Sequence, residues 1–332
     1  MRRLLTAALI FAALGPMPGT VMRFPEVDLT ESAAARPVAF APEEEGALRF
    51  VRGWHLVSPH SRFGGFSALA RIGADRFQLV GDNGYGTRLT LDSRGAVSDV
   101  RIRPLPTPYG RPARKSMIDA EAMFVDSASG KSWIALEGIN EIWRLDADLA
   151  AIEARRKLPP PRWPSNRGPE AMVRLGDGRT LVLSEDADND TRGREGLLYT
   201  GDPAEPGPAP IHFFYASDGR GLVSDAAPLP DGRILLVHRR LGFDPVFTTI
   251  LSILDPTDIE ADSIVRSRTI GRIPAPLAEN YEGGAVSVEG GRTFLWLVAD
   301  NNFNIWQRSL LLQFELVDLP PKRMPDSKKA AR

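Results

Sequence analysis

A pattern that recurs five times, about once every 50 residues, constrains the fold of this chain more than any other feature. Each copy has a small or acidic residue, a short β-type run, a turn and a second β-type run. When the copies are aligned on one polar position, the intervals are 54, 49, 55 and 57 residues between Ser67, Glu121, Glu170, Asp225 and Glu282. Such a period in a β-rich chain is typical of a β-propeller, in which each copy is one blade.

Turn residues support this interpretation. Asp177-Gly178, Asp231-Gly232 and Gly290-Gly291 lie between the two β-type runs of three copies, where tight hairpins need positive φ. The chain also contains 30 glycines and 28 prolines, which favours a turn-rich β protein. We therefore predict an all-β fold, a single β-propeller.

The fifth copy lacks a fourth strand, because only Ser309–Leu316 remains before the charged end of the chain. Ala47–Val57, upstream of the first copy, is the expected donor of that strand. Such a closure joins the first and last blades and leaves no open sheet edge. We predict five blades over residues 47–316; six blades, a β-sandwich array and two separate β domains remain alternatives.

The N-terminal residues have the parts of a secretory signal peptide. Met1-Arg2-Arg3 is followed by the apolar run Leu4–Leu14 and by a break at Gly15–Gly19. This run is too short to span a membrane as a helix. We expect residues 1–20 to direct export to the periplasm or the medium, with retention as an anchor the alternative. The mature protein would then have no transmembrane span.

The segments that flank the repeats have compositions unlike those of the blades. Residues 21–46 are rich in Ala, Pro and Glu, and we expect an extended lead-in. Residues 317–332 are charged and contain proline, and we expect a disordered tail.

The charge balance and the absence of cysteine exclude several classes of function. The formal net charge is −1, and nucleic-acid binding needs a concentrated basic surface, so we expect no nucleic-acid partner. With no cysteine, the chain has no disulfide, thiolate zinc site or cysteine nucleophile. We expect a monomer that acts on a small molecule.

In a propeller the ends of the inner strands converge at one mouth of the central channel. The repeats would bring many carboxylates there, which cannot all remain ionised without compensation. Calcium prefers such oxygen ligands, so we predict a calcium site. The candidate metal ligands are Glu121, Glu170, Glu282, Asp300, Asp82 and Glu185. Capping of turns by these acids is the alternative for any single one.

The fourth copy carries His238-Arg239-Arg240 where the other copies place an acid. These side chains and Arg167 are candidates for binding an anionic group of the substrate; ion pairing with the acids is the alternative. We expect the basic loop Ile102–Ser116 to be a solvated connector. Asp186–Asp190 departs from an EF-hand, which leaves an irregular calcium loop or a polar hairpin tip.

Several of these motifs resemble the phytase-like, or "esterase-like activity of phytase", family of exported bacterial proteins. The resemblance is carried by GGFSAL with GDNG, DAEAM with IALEG, GPEAM, and NYEGGAV followed by LWLVADNNFNIWQRSLLLQFEL. It covers about residues 47–316. Membership implies a propeller and hydrolysis of phosphate or carboxylic esters. In β-propeller phytases calcium ions at the channel mouth bridge substrate phosphates, and Glu121, Glu170, Glu282 and Asp300 match positions that could do likewise.

These observations support one leading hypothesis and two rivals. The leading hypothesis is an exported calcium-dependent hydrolase of phosphoesters or related esters, with an anionic ester as substrate and Glu282 or Glu170 as general base. The first rival is a lactonase-like propeller with one calcium ion. The second is a non-enzymatic propeller that binds a ligand or partner at its mouth, since the fold alone does not choose a function.

Overall fold

The computed structural model describes residues 26–39, 46–109, 113–159, 163–164, 167–185 and 191–322. The predicted signal peptide and the acidic segment 186–190 lie outside the described residues. The predicted tail is described only as far as Lys322. In the described part of the chain, no helix is long and apolar enough to cross a membrane.

Five antiparallel blades surround a central channel, as the repeat predicts. The innermost strand of each blade comes from one copy of the repeat, and neighbouring innermost strands contact one another around the whole ring. The first blade contains β3 (Phe66–Arg71), β4 (Arg76–Gly81), β5 (Tyr85–Leu91) and β6 (Val97–Pro104). The second contains β7 (Ala120–Val125), β8 (Ser132–Leu136), β9 (Glu141–Leu145) and β10 (Ile152–Lys157).

The third and fourth blades are linked by one extra short strand, which follows the third strand of the fourth blade in the chain. The third contains β11 (Pro169–Arg174), β12 (Thr180–Ser184), β13 (Arg194–Tyr199) and β14 (Ile211–Ala216). The fourth contains β15 (Leu222–Pro228), β16 (Ile234–Leu241), β17 (Phe247–Leu254) and β19 (Arg268–Arg272). Between them, β18 (Ile264–Arg266) pairs in parallel with β14. β18 and β19 are separated at Ser267, and buried Val265 of β18 packs into the core between these two blades.

The fifth blade confirms the predicted closure. It contains β20 (Asn280–Glu289), β21 (Arg292–Asp300), β22 (Leu310–Leu316) and the N-terminal strand β2 (Leu48–Val57), which pairs antiparallel with β22. A short strand, β1 (Ala34–Pro37), extends this sheet from the predicted lead-in. Three 3-10 turns complete the described secondary structure, at Lys115–Met117, Pro256–Asp258 and Ala275–Leu277.

The hydrophobic core is divided into five clusters, one at each contact between neighbouring blades in the described structure. At the closing contact, Trp54 of β2 stacks on Trp296 of β21 with ring centroids 6.4 Å apart and planes 2° from parallel. The Arg52 guanidinium lies 5.2 Å from the Trp54 ring and donates to Gln313 Oε1 of β22. The predicted donor strand is therefore packed as tightly as a strand within a blade.

The first residues of the predicted tail pack on this core. Leu319 lies against the cluster between the fourth and fifth blades, and Arg233 Nη1 donates to Pro320 O at 2.7 Å.

Candidate functional site

Each inner strand carries a register irregularity at the same point, next to the mouth of the channel. The residues at these irregularities are Ser67, Glu121, Glu170, Ser224 and Glu282. A bulge leaves one residue outside the ladder and re-aims its side chain. Three of the five blades therefore contribute a glutamate from an equivalent position.

The fourth blade differs from the sequence alignment by one residue. Ser224, and not Asp225, occupies its bulge. Asp225 instead accepts from the backbone N–H of Gly284 at 2.5 Å, and burial raises the pKa of its carboxyl well above the usual range. Asp225 therefore ties β15 to β20 of the fifth blade and does not join the mouth carboxylates. Ser224 Oγ makes a similar tie by donating to Tyr281 O at 3.0 Å.

The second strands place further acids at the mouth. Asp82, Glu137 and Glu185 each come directly after a second strand, and their backbone N–H groups donate to Gly65 O, Asp119 O and Gly168 O at 2.9, 2.9 and 3.0 Å. These bonds fix the chain at equivalent points in three blades. Asp300 is the last residue of β21 and is 3% exposed.

Two groups of carboxylates are close enough to hold a metal ion. Asp119, Glu121 and Glu137 form one group; Glu137, Glu170 and Glu185 form the other. Within each group, one carboxylate oxygen per residue lies within 4.8 Å of the others. Glu137 belongs to both groups, so the two positions are adjacent.

Glu170 is buried, with a side chain only 6% exposed. No described residue donates a hydrogen bond to its carboxylate. A buried carboxylate without a partner is costly. Burial and the neighbouring Glu185 carboxylate raise the pKa of Glu170 well above its usual range. The side chain is therefore placed to bind either a proton or a cation.

The other mouth acids are perturbed in the same direction. Burial raises the pKa of Glu137 to about 7. Burial and the Glu282 carboxylate raise the pKa of Asp300 to about 8. Partial burial and the Glu170 carboxylate raise the pKa of Glu121 well above its usual range. Like charges in a narrow channel favour the protonated form of each acid, and a bound cation would reverse that preference.

Two described cations compensate part of this charge. Arg239 pairs with Glu282, donates through Nη2 to Glu185 Oε1 at 2.9 Å and donates through Nη1 to Asn280 Oδ1 at 2.9 Å. Lys115 Nζ lies 2.7 Å from Asp82 Oδ2 and 3.6 Å from Asp119 Oδ1. Lys115 belongs to the loop Ile102–Ser116 that was predicted to be a solvated connector; its side chain is 63% exposed and also contacts these two acids.

The other predicted substrate-binding residues are not brought together with Arg239. His238 is fully buried, and its Nε2 lies 3.2 Å from Tyr215 Oη and 2.8 Å from Ser252 Oγ. Burial lowers the pKa of His238 to about 3, so the ring is neutral at physiological pH. Arg240 is exposed at the end of the same strand, and Arg167 is partly exposed just before β11.

The site includes residues that the predicted ligand set omits. Asp119 and Glu137 complete the two carboxylate groups, and Asn280 donates through Nδ2 to Glu282 Oε1 at 2.9 Å. Asp119 and Asn280 each stand two residues before an aligned glutamate of the repeat, and Glu137 follows a second strand as Asp82 does. Lys115 carried no such signal, because it lies in a connection between blades.

The donor set fits a hard cation. Each of the two groups consists of three carboxylates, and calcium takes six to eight oxygen ligands of this kind. Glu170, buried without a described donor, is an available ligand. The acidic segment 186–190 lies outside the described residues and is not counted among these donors.

The fold and the geometry of the site define the class of this protein, which is a five-bladed propeller with an acidic mouth. The Phytase-like family, described as "Esterase-like activity of phytase", matches residues 61–303, which is well over half of the chain. The chain therefore belongs to the Phytase-like family. No curated protein is significantly similar to it in sequence.

Several solved structures are similar to this chain at low sequence identity. The PQQ-bound aldose sugar dehydrogenase of Streptomyces coelicolor is 13% identical, with a TM-score of 0.47 and coverage of 87% of this chain and 99% of that one. An exo-1,5-α-L-arabinanase from a bovine ruminal metagenomic library is 11% identical, with a TM-score of 0.46 and coverage of 75% and 91%. Kuenenia stuttgartiensis hydrazine synthase is 11% identical, with a TM-score of 0.40; 73% of this chain matches and spans only 58% of that chain.

Proposed function

We propose that this protein is an exported, calcium-dependent hydrolase of phosphoesters or related esters that acts at the mouth of the channel. The observation that carries the proposal is the pair of carboxylate groups that share Glu137 and include the unpartnered, buried Glu170. Family membership supports ester hydrolysis as the reaction class. The convergence of the inner strands at one mouth of a propeller channel supports this location.

Glu137, Glu170 and Glu185 would hold one calcium ion, and Asp119 and Glu121 together with Glu137 offer a second position. A calcium ion bound there supplies Lewis-acid polarisation of an ester oxygen. Asp82 and Asp300 add two further carboxyl groups to the mouth. In this arrangement the carboxylates would fix the cation at the channel mouth, and with it the position at which an ester oxygen can bind.

Glu282 is the proposed general base. Arg239 and Asn280 both contact its Oε1, and no described donor contacts Oε2. The pair with Arg239 favours the ionised carboxylate, although burial raises the pKa of Glu282. Oε2 is thus available to accept a proton from a water molecule that attacks the ester. Glu170 serves in this proposal as a metal ligand and as the alternative base.

Arg239 does not bind the anionic group of the substrate in this proposal, because its two Nη groups are occupied by Glu282, Asn280 and Glu185. Arg239 neutralises and positions carboxylates instead. Arg240 and Arg167 remain candidates for contact with a charged substrate, and His238 takes no part because it is buried and neutral.

The first test is unfolding of the mature protein in calcium or in chelator, at matched ionic strength. Calcium at about 100 times its dissociation constant should raise the free energy of unfolding by about 2.7 kcal/mol. Glu170→Gln should abolish this increase. Glu141→Gln is the matched control: Glu141 is 3% exposed, but its Oε2 accepts from Trp143 Nε1 and it lies outside both carboxylate groups.

Hydrolysis is then assayed with 4-nitrophenyl phosphate, bis(4-nitrophenyl) phosphate, 4-nitrophenyl acetate and a γ-lactone. Turnover of a phosphoester or acetate that needs calcium and falls at least about a hundredfold in Glu282→Gln supports the proposal. Turnover of the lactone alone supports the lactonase-like rival. Calcium binding without turnover of any of the four supports the binding propeller. Export is tested by sequencing the N-terminus of the protein recovered from the periplasm.

A further inference from the structure

A groove runs outward from the acidic mouth across the junction of the first and second blades. It consists of two adjoining hollows of about 480 and 440 Å³ that share Arg62, Asn83, Ala113 and Ile118. The end next to the mouth is lined by Asp82, Lys115 and Phe303; the outer end is lined by Tyr85, Leu105 and Thr107. Its lining combines charged and polar side chains with apolar and aromatic ones, which suits a small molecule that carries both kinds of group.

Arg62 stands at the middle of this groove. Its backbone is fixed, because its N–H donates to His60 Nδ1 at 3.1 Å and its carbonyl accepts from Asn83 Nδ2 at 3.1 Å. Its guanidinium lies 5.7 Å from the centroid of the Tyr85 ring, and no described carboxylate pairs with it. An arginine that is stacked but not paired keeps its fork of donors available for an anion.

Phe303 forms the wall beside the mouth, and the loop that carries it is held in an unusual conformation. Asn302 and Phe303 have φ of 47° and 50°, in the left-handed region that residues other than glycine seldom adopt. Their N–H groups donate to Asp300 Oδ1 at 2.6 Å and to Asn301 Oδ1 at 3.2 Å. Such strain is maintained where the surroundings impose it, often at ligand sites.

A glycine allows this aromatic ring to lie against the chain. A Cβ at Gly65 would stand 2.7 Å from Phe303 Cε2. Phe303 nevertheless remains 48% exposed, so a large part of the ring is open to a ligand. The groove therefore presents a rigid aromatic surface and does not bury it against the protein.

The groove and the mouth have opposite charge. Arg62 and Lys115 outweigh Asp82 in the groove, whereas carboxylates dominate the mouth. Lys115 lies at the boundary, because it contacts Asp82 and Asp119 together. An anionic group would thus be held in the groove while the acids of the mouth hold a cation.

We infer that this groove binds the part of the substrate that does not react: an anionic group on Arg62, joined to a flat apolar body that packs against Phe303 and Tyr85. The substrate class is an anionic ester with an aromatic or similarly flat moiety. The link to hydrolysis rests on the proposed function, but binding in the groove does not.

The test is calorimetric titration with naphthalene-1-sulfonate, which has no ester to hydrolyse, in calcium and in chelator. The uncharged 1-naphthol and the small anion methanesulfonate are the comparison probes, and both should bind at least about tenfold more weakly. Arg62→Gln should weaken binding of naphthalene-1-sulfonate about tenfold or more, and Phe303→Ala about fivefold. Arg101→Gln is the matched control, an exposed arginine of the first blade whose one described carboxylate neighbour is Glu31 at 4.0 Å.

Binding that is equal in wild type, Arg62→Gln and Phe303→Ala overturns the inference, and so does equal binding of the three probes. Both variants change exposed side chains, and their unchanged unfolding midpoints would exclude misfolding as the cause of a loss. Binding that depends on Arg62, in a protein that neither binds calcium nor hydrolyses esters, would retain the groove and refute the proposed function. Calcium-dependent hydrolysis with no probe binding would support the proposed function and refute binding in the groove.

Discussion

Arg239 Nη2 donates to Glu185 Oε1 at 2.9 Å and thereby joins the fourth blade to the third. Through Nη1 the same guanidinium holds Asn280 of the fifth blade, and it also pairs with Glu282. One cation, with a side chain only 16% exposed, thus holds acids from both neighbouring blades. The fourth blade, which offers serine at its bulge, compensates the acids that the other blades supply.

Arg239→Met should lower the free energy of unfolding by about 3–5 kcal/mol in chelator, because it leaves Glu282 and Glu185 buried without their counter-charge. Urea unfolding measures this loss. Calcium should restore part of it, since a bound cation would replace the lost charge. Arg240→Met, at the exposed neighbouring position, should change stability by no more than about 0.5 kcal/mol. Equal effects of the two substitutions would contradict this account.

The metal-free protein should lose stability as the pH rises from 6 to 9. Glu137 and Asp300 have folded-state pKa values of about 7 and about 8, above the unfolded values of 4.5 and 3.8. The folded state therefore binds more protons in this window, and the free energy of unfolding falls as they are released. Unfolding in urea and chelator at pH 6 and pH 9 measures the fall.

Glu137→Gln should make that fall smaller, because it removes one of the two titrating acids. In saturating calcium the fall should disappear or reverse, since deprotonated carboxylates bind the ion better. A metal-free stability that is constant from pH 6 to pH 9 would show that these acids do not hold protons in the folded state.

Trp54→Ala should destabilise the protein by about 3–5 kcal/mol, because the ring is 4% exposed and stacks on Trp296 across the closing contact. Thermal or urea unfolding measures the loss. Val51→Ala on the same strand is the control, because Val51 is 44% exposed, and it should have little effect. A small loss for Trp54→Ala would mean that β2 contributes little to closing the ring.

Buried His238 should make the protein sensitive to acid. Its folded-state pKa of about 3 lies below the ordinary value of 6.5, so the unfolded state binds the extra proton between these values. Stability therefore rises with pH through this window and is lost on acidification. His238→Gln should reduce the difference in unfolding free energy between pH 4.5 and pH 7. An equal difference in wild type and in His238→Gln would contradict this account.

Much of the fold could be predicted from the sequence because its repeats are local. Each copy carries its own turn and its own alternation of strands, and the shortage of strands in the fifth copy indicated the closure by β2. The division of β18 from β19 could not be predicted, because it depends on pairing with β14, a strand about 50 residues earlier in the chain.

Part of the candidate site could also be predicted from the repeat. Glu121, Glu170 and Glu282 follow from the repeat, but in the fourth copy two polar residues adjoin, and only the strand register distinguishes Ser224 from Asp225. The role of Lys115 depends on a contact with Asp82 of another blade, which no local pattern records. The burial of His238 likewise results from packing between two blades.

The closure by β2 also sets the order in which the nascent chain can complete its ring. β2 is synthesised before the strands of the other four blades, yet its partner β22 emerges only after all of them. Glu282 and Asp300 belong to that last blade, so they reach Glu121 and Glu170 after the earlier interfaces have had time to form. The two carboxylate groups of the second and third blades can assemble earlier. Ring closure then adds Glu282 and Asp300 to a mouth that is already acidic, and the pairing of β2 with β22 has to withstand the added repulsion.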